Sequence, residues 1–577
     1  MTIRNIAMTV IGVLALDAQA LAASPSRPAQ SANAAQAGYI VEGANFAAAL
    51  RAVTHAGGQV THGLPIINGV SALLTSTQAE ALRKDKTLEL FADAPVRTQS
   101  VIFGGNNGTV PDIYQRAMVG ADALASQGIN GTGIVVAVLD GGIPNVAAGA
   151  DEAAKALALD LNGAARVPAQ YDAINGVVVD STHPYVSSVA DNYGHGTHVA
   201  SIILSSNTVD PVLNGQPQGI APMAKLISVK AFDNTGTGSY ASVVNGLNWI
   251  LANRSSYGNI RVVNLSFGAK PQSFYWNDPI DQAVMKLWQA GIVVVASAGN
   301  FGPKPQTIAV PGNNPYVITV GAMTDNFTPT NFADDGVASF SAAGPTYEGF
   351  IKPDVVAPGG HLAGEMQAQQ LLAVLHTQFL SNTDDMFIMS GTSQAAAVTS
   401  GVVALMLQAN PTLTPDQVKC RLTASTASLV GANGKATYTV FQQGAGLVNA
   451  YNAVYSQAAN CANQGLNITK DIAGTQHFGG PAHQNTTTGA YYVLDGNGNT
   501  IGADGYLWNQ QYAKNQGYLW NNGYLWNNGY LWNNGYLWNN GYLWNNGYLW
   551  NNGYLWNQST VAPASSPAAT ESWNTQE

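Results

Sequence analysis

The sequence predicts an α/β fold: a parallel sheet covered by helices on both faces, preceded by a small α+β unit and followed by a repeat-bearing tail that is β-rich or irregular. Three observations carry this. Apolar, β-branched runs recur through the middle of the chain: "IVVAVLD", "AKLISVKAF", "IRVVNLSFG", "GIVVVASAGN" and "YVITVGAM". Helical patterns separate several of them, notably "SYASVVNGLNWILANR" and "PIDQAVMKLWQAG". Only 10% of residues are charged while 61 glycines accompany 46% hydrophobic residues, which suits a compact chain with many tight turns and excludes a disordered or coiled-coil one. Strands buried on both faces read as continuous apolar runs, and their alternation with helices is what a parallel sheet requires.

The chain opens on "MTIRNIAMTVIGVLALDAQALAAS". Arg4 gives a basic start, Ile6 to Leu16 an apolar stretch too short to span a bilayer, and Ala20-Leu21-Ala22 a small-residue cleavage signature. Residues 1–23 are therefore expected to be an export signal peptide. No other stretch approaches the length of a membrane span, so the protein is expected to be secreted, periplasmic or at the cell surface, with no transmembrane segment. Residues 24–37, "SPSRPAQSANAAQA", form a linker. Residues 38–96 follow as the α+β unit: extended "YIVEG", helical "FAAALRAVTHAG", a strand pair around "QVTHGLPIINGVSALLT", then "STQAEALRKD". Glycine-rich residues 97–110 read as an exposed junction.

Residues 111–457 hold the predicted sheet. Reactive groups in such sheets gather at the carboxyl ends of the strands, where Asp140 and Asn300 sit. The net charge of −10, from 33 acids against 23 bases without a basic run, disfavours nucleic acid as a partner. The two cysteines are Cys420, in helical-looking "TPDQVKCRL", and Cys461, after "LVNAYNAVYSQAAN". Either they form a disulfide closing a loop of about 40 residues, worth up to about 4 kcal/mol, or they are two buried thiols; export permits the bond without deciding it. Residues 458–504 connect to a tail. In residues 505–558 "GYLW" occurs eight times, from Gly505 and then every six residues from Gly517 to Gly553, carrying eight of the twelve tryptophans. Asn-Asn-Gly between "YLWN" units suits hairpin turns or a β-solenoid. Ladders of Tyr and Trp either pack on the protein itself or bind a cell envelope or glycan. Residues 559–577 are a low-complexity end.

Chemistry enters with "MSGTSQAAAVTSG", which puts Ser393 at an expected helix start among small side chains. Alone, the triplet reads as a helix cap before a good helix-forming run. Two other patches alter that reading: "GIVVAVLDGGI", where Asp140 ends a buried strand, and "DNYGHGTHVASIIL", where His195 and His198 open a helix. A hydroxyl is a weak nucleophile until a base removes its proton, an imidazole titrates near working pH, and a carboxylate holds the imidazole's tautomer. "ASAGNFG" adds the Asn300 amide, which with the Ser393 backbone N–H supplies donors for a developing oxyanion.

"VLDGGI", "GHGTHVA", "SAGN" and "SGTSQAA", in that order, resemble the signatures of the subtilisin-like serine proteases, a likeness that runs on through "SFSAAGP", "KPDVVAPGG" and "GAGLVNAYNAV". The resemblance implies a secreted endopeptidase that hydrolyses peptide bonds through an acyl-enzyme, with Asp140 orienting, His195 as general base and acid, Ser393 as nucleophile and Asn300 as oxyanion donor. It implies structural roles for His198 and Asp354. "TGTGS" (Gly236, Thr237, Gly238) and "NLSFG" (Ser266, Phe267, Gly268) resemble the two edges between which the family holds an extended peptide, with broad, apolar-leaning specificity. Residues 38–96 are similar to the inhibitory prodomain of the family, so the protein's partners are expected to be polypeptide substrates and its own prodomain. The chemistry needs no cofactor; the sequence leaves a structural calcium ion open. Gly141, Gln394, Ala397 and Val398 depart from the family pattern, and none removes a catalytic atom. The competing reading is a surface- or polysaccharide-binding repeat protein whose protease domain serves only maturation or is inactive.

Overall fold

The computed structural model describes residues 35–98, 114–146, 151–208, 216–326, 328, 334–380, 386–427, 429, 438–494, 500–501 and 524–526. The expected signal peptide, the low-complexity end and all but Tyr524–Trp526 of the hexapeptide repeats lie outside these residues.

The N-terminal unit is a four-stranded sheet, ordered β2-β3-β1-β4, from strands β1 (Gln36–Glu42), β2 (Gln59–Leu64), β3 (Gly69–Thr75) and β4 (Glu89–Ala92). Helices α1 (Phe46–His55) and α2 (Ser76–Arg83) accompany it. Asn45 caps α1, and Thr75 with Gln78 forms a capping box on α2, each satisfying amides that the first turn leaves open. Val41, Ala49, Val53, Val70, Ala72 and Leu74 make a small core of its own. Ile40, Leu64, Ile66 and Ile67 instead join the main core of the protein. The unit starts at Gln36, inside the segment read as linker. A fifth strand, β5 (Pro95–Thr98), carries it past Val96 into the expected junction.

The body is built on a nine-stranded sheet whose main path is β15-β14-β13-β11-β6-β9-β7-β8, with β16 beside β14. In chain order the path begins with two short helices, α3 (Gln115–Met118) and α4 (Ala121–Ala125), then β6 (Val135–Asp140), α5 (Glu152–Ala158), β7 (Ala169–Asp172) and β8 (Val177–Asp180). Next come α6 (His195–Leu204), β9 (Lys225–Lys230), β10 (Thr237–Ser239), α7 (Tyr240–Ala252), β11 (Ile260–Leu265), β12 (Phe267–Gly268) and α8 (Pro279–Gln289). β13 (Val293–Ser297), β14 (Ile318–Thr324), β15 (Gly336–Val337) and β16 (Val355–Pro358) complete the sheet. All six residues of β6 are buried, so both faces of that strand are covered. The expectation of a parallel sheet holds from β7 to β16 and fails at the edges, where β8 and β15 pair antiparallel. Both are short edge strands, of four and two residues, that return beside the strand just before them in the chain, and a direct return of that kind runs antiparallel.

A further hairpin, β17 (Leu362–Glu365) with β18 (Met386–Met389), brackets the short helix α9 (Leu371–Leu375) and leads into α10 (Thr392–Ala409). From Thr392 to Leu407 every residue of α10 is buried, as a helix surrounded on all sides must be. A side chain at Gly401 would come within 2.5 Å of Ile220, which is why small residues crowd this helix.

Residues 458–494 are not a mere connection. Cys461 is joined by a disulfide to Cys420 of α11 (Pro415–Ala424), with Cα atoms 5.1 Å apart. Asp471 accepts hydrogen bonds from Tyr275 (2.6 Å) and Tyr316 (3.1 Å), and the His477 ring stacks on Trp276. One repeat unit, Tyr524–Trp526, pairs antiparallel with His477–Gly479.

Candidate active site

β6 delivers Asp140 at its carboxyl end, and α6 begins with His195. Both are fully buried, and His195 Nδ1 lies 2.8 and 2.9 Å from the two Asp140 oxygens. A carboxylate only accepts, so Nδ1 carries the proton and Nε2 keeps its lone pair; among the described residues Nε2 has no hydrogen-bond partner. Burial pushes the Asp140 carboxyl above its usual range, and the facing imidazole offsets part of that rise. The Gly141 N–H also donates to Asp140 (2.7 Å).

Asp191, which sequence reading left out, fixes the turn that presents His195. Its Oδ1 accepts from the backbone of Tyr193 and Gly194, and its Oδ2 from the backbone and hydroxyl of Thr197. A Cβ at position 141 would sit 2.9 Å from Asp191 Oδ1, so the departure to glycine there fits the local crowding. The signal was present in "DNYGHGTH": an aspartate ahead of a glycine-capped helix start.

Ser393 is the second residue of α10, behind Gly391 as N-cap with no side-chain cap, so the plain helix-cap reading of Thr392 or Ser393 fails. The Thr392 hydroxyl is used elsewhere: it donates to Asn300 Oδ1 (2.8 Å) and accepts from Gly299 N–H (3.1 Å). The Thr392 N–H also donates to Asn300 Oδ1 (3.0 Å), which fixes the amide with its oxygen toward α10. The Ser393 N–H belongs to the first turn, beyond reach of any intrahelical carbonyl.

The expected Ser393–His195 hydrogen bond is not made. Ser393 Oγ donates instead to the Ser266 carbonyl (3.0 Å), while Ser266 Oγ donates to the Ser393 carbonyl (2.9 Å). Catalytic hydrogen bonds are commonly long or misaligned before substrate binds.

Strand β5 forms a small sheet with β10 and β12, in the order β10-β5-β12. Phe267 and Gly268 pair with Thr98 and Arg97 on one side; Thr237, Gly238 and Ser239 pair with Arg97, Val96 and Pro95 on the other. The Thr98 N–H donates to the Gly236 carbonyl (3.2 Å). The protein thus holds its own extended segment as the middle strand between the two glycine-bearing edges named from sequence. Along β5, Val96 is buried while Pro95 and Arg97 are exposed, the alternation of a strand with one face down.

His198 lies one turn beyond His195, fully buried, with Nε2 2.9 Å from the Phe387 carbonyl. Burial pushes its imidazole down to about 3. Unfolded, it titrates near 6.5, so between those values the unfolded chain binds the extra proton. The stability held by the neutral ring is whole above about pH 6.5 and is lost as pH falls toward about 3. His198→Gln is expected to flatten this acid limb by up to about 1.4 kcal/mol per pH unit, read from urea midpoints across the range. An unchanged acid slope would show that other groups govern it.

Asp354 is 1% exposed and bridges two buried amines, Lys352 (2.7 Å) and Lys419 (3.1 Å). It also accepts from Thr319 N–H (2.8 Å), so it ties β16 to β14. Among the described residues no three His, Cys, Asp or Glu side chains are grouped to hold a metal ion, and no helix is long and apolar enough to cross a membrane.

A sequence profile of the Subtilase family matches residues 131–446. The chain is 37% identical over 336 residues to Serine protease AprX of Bacillus subtilis, covering 57% of this chain and 68% of that protein. It is 31% identical over 402 residues to Subtilisin E of Bacillus subtilis, covering 69% of this chain and 83% of that protein. The crystal structure of fervidolysin from Fervidobacterium pennivorans, a keratinolytic enzyme related to subtilisin, shares the fold: TM-score 0.56 and 22% identity, covering 83% of this chain and 69% of that one.

Proposed function

The chain belongs to the subtilase family of serine endopeptidases, and from that premise we propose that it is an exported endopeptidase made as a self-processed zymogen. What carries the reading is β5: a segment of the chain's own N-terminal unit lies in extended form between Thr237–Ser239 and Phe267–Gly268, the latter directly following Ser266, which exchanges hydrogen bonds with Ser393.

A substrate takes the place of β5, pairing through main-chain hydrogen bonds that accept many sequences, with apolar side chains favoured where Val96 is buried. His195 Nε2 removes the Ser393 proton as Oγ attacks the peptide carbonyl carbon. Asp140 keeps the Nδ1 proton in place and stabilises the imidazolium without taking that proton. The tetrahedral oxyanion is held by the Asn300 side-chain N–H and the Ser393 backbone N–H at the start of α10. The imidazolium returns its proton to the departing amine, leaving an acyl ester on Ser393. Water, deprotonated by the same ring, then releases the acid and restores the hydroxyl.

Residues 38–96 with β5 act as the inhibitory prodomain. Thr98 stands opposite Phe267, so the bond presented for cutting falls just after Thr98, in residues outside those described. N-terminal sequencing of the mature enzyme is expected to begin within the few residues after Thr98; a start beyond Tyr114 would contradict this register. Val96→Asp, which puts a carboxylate in a buried apolar site, is expected to slow precursor conversion about tenfold or more. Conversion at the parent rate would remove β5 from the substrate position.

A further inference from the structure

Besides β5, the N-terminal unit meets the body along an acidic seam. Glu42, the last residue of β1, is 8% exposed. Its Oε2 accepts from Gln282 Nε2 of α8 (3.1 Å), and its Oε1 has no hydrogen-bond partner among the described residues. Sheet register sets Glu42 directly opposite Glu89 on β4 and opposite Gly69 on β3, which brings no side chain. From the body, α8 contributes Asp281 and its N-cap Asp278, both buried, and α7 contributes Tyr240. Asp278 is fully engaged by hydrogen bonds: Oδ1 accepts from the amides of Ile280 and Asp281, and Oδ2 accepts from the Tyr240 hydroxyl (2.9 Å), while burial raises its carboxyl to about 6. The α8 N-terminus is therefore already occupied and does not neutralise Glu42. Among the described residues no lysine, arginine or histidine forms an ion pair with Glu42, Glu89, Asp278 or Asp281.

We propose that Glu42, facing Asp278 and Glu89 across this seam, makes docking of the N-terminal unit on the peptidase body proton-linked: firm at mildly acidic pH and loosened as pH rises. The physics is a like-charge cluster closed away from water. Undocked, Glu42 returns to solvent, where a carboxyl ionises near pH 4.3 to 4.5, as is usual for glutamate. Docked, burial pushes it well above that range; the Gln282 hydrogen bond offsets part of the rise, the Glu89 and Asp278 carboxylates add to it, and Glu89 is pushed the same way by burial. Docking then takes up a proton, and each pH unit between the two values weakens it by up to about tenfold. Asp93 also lies at the boundary, accepting from Ala241 N–H (2.8 Å), and burial raises it too. It bonds a different helix, so substitution at Glu42 separates the two.

If the unit is the inhibitory prodomain, a claim on which only this consequence rests, an exported precursor would release it more readily at neutral than at acid pH. The test uses full-length protein carrying Ser393→Ala, so no cleavage intervenes. Amide exchange is followed at Thr98 and Ala241, whose N–H groups bond across the boundary to Gly236 and Asp93, with β6 amides as internal reference. Between pH 5 and pH 8, after correction for intrinsic exchange, protection at both is expected to fall about tenfold or more relative to β6. Adding Glu42→Gln is expected to abolish most of that fall. Glu89→Gln, which keeps Glu42 but removes the cross-strand charge, should reduce it in part. A fall that survives Glu42→Gln, or no fall in the parent, overturns the proposal and leaves the inhibitory reading standing on its own test.

Discussion

Ser393→Ala is expected to abolish peptide hydrolysis and leave the full-length precursor uncut. In subtilisin, loss of the serine or histidine alone costs about 2 × 10⁶ in turnover. A loss of that order is expected here because the donors around Ser393 stay in place when only Oγ is removed. Asn300 remains tied to Thr392, α10 still starts at Gly391, and His195 remains bonded to Asp140. The residue is an enzyme that binds peptide and polarises its carbonyl but has no nucleophile, so a small activity above the uncatalysed rate should survive. Gel analysis of the expressed variant reads processing, and casein hydrolysis reads turnover. A variant that matures normally would assign the cut to another protease, and one that still digests casein would remove Ser393 from the chemistry.

The second large effect is on stability. Asp354→Asn is expected to cost about 3–5 kcal/mol, because it leaves two amines buried without their counter-charge. Lys352 is wholly buried and Lys419 nearly so; both also donate to main-chain carbonyls, including that of Val317. Those bonds satisfy protons without balancing charge. Burial already lowers the Lys352 amine to about 7 against Asp354's opposing pull, so removal of the carboxylate drives it further toward the neutral form. The urea midpoint should drop accordingly while the dependence on denaturant stays the same. A midpoint within error of the parent would mean the pair is dispensable to the fold.

Much of the fold is legible in the sequence. The five apolar runs became β6, β9, β11, β13 and β14, since a strand buried on both faces must be apolar throughout. The Asp140–His195 contact follows from residue types in a known order, and the two glycine-bearing edges singled out in the sequence are the strands that flank β5. What stayed hidden depends on contacts between distant segments. "PVRT" carries no strand signal of its own; it is extended because two edges far along the chain pair with it. Residues 458–494 looked like a connection because their anchors, the Tyr275 and Tyr316 hydroxyls on Asp471, lie more than 150 positions upstream. The orientation of the Ser393 hydroxyl is a choice among rotamers, which no residue order encodes.

The proposed chemistry depends above all on one activated hydroxyl. Incubating the matured protein with a fluorophosphonate and mapping the adduct tests it most directly. Modification of Ser393 alone is predicted, lost in Ser393→Ala and strongly slowed in His195→Ala. No adduct on active, matured protein, or an adduct on a different serine, would contradict it.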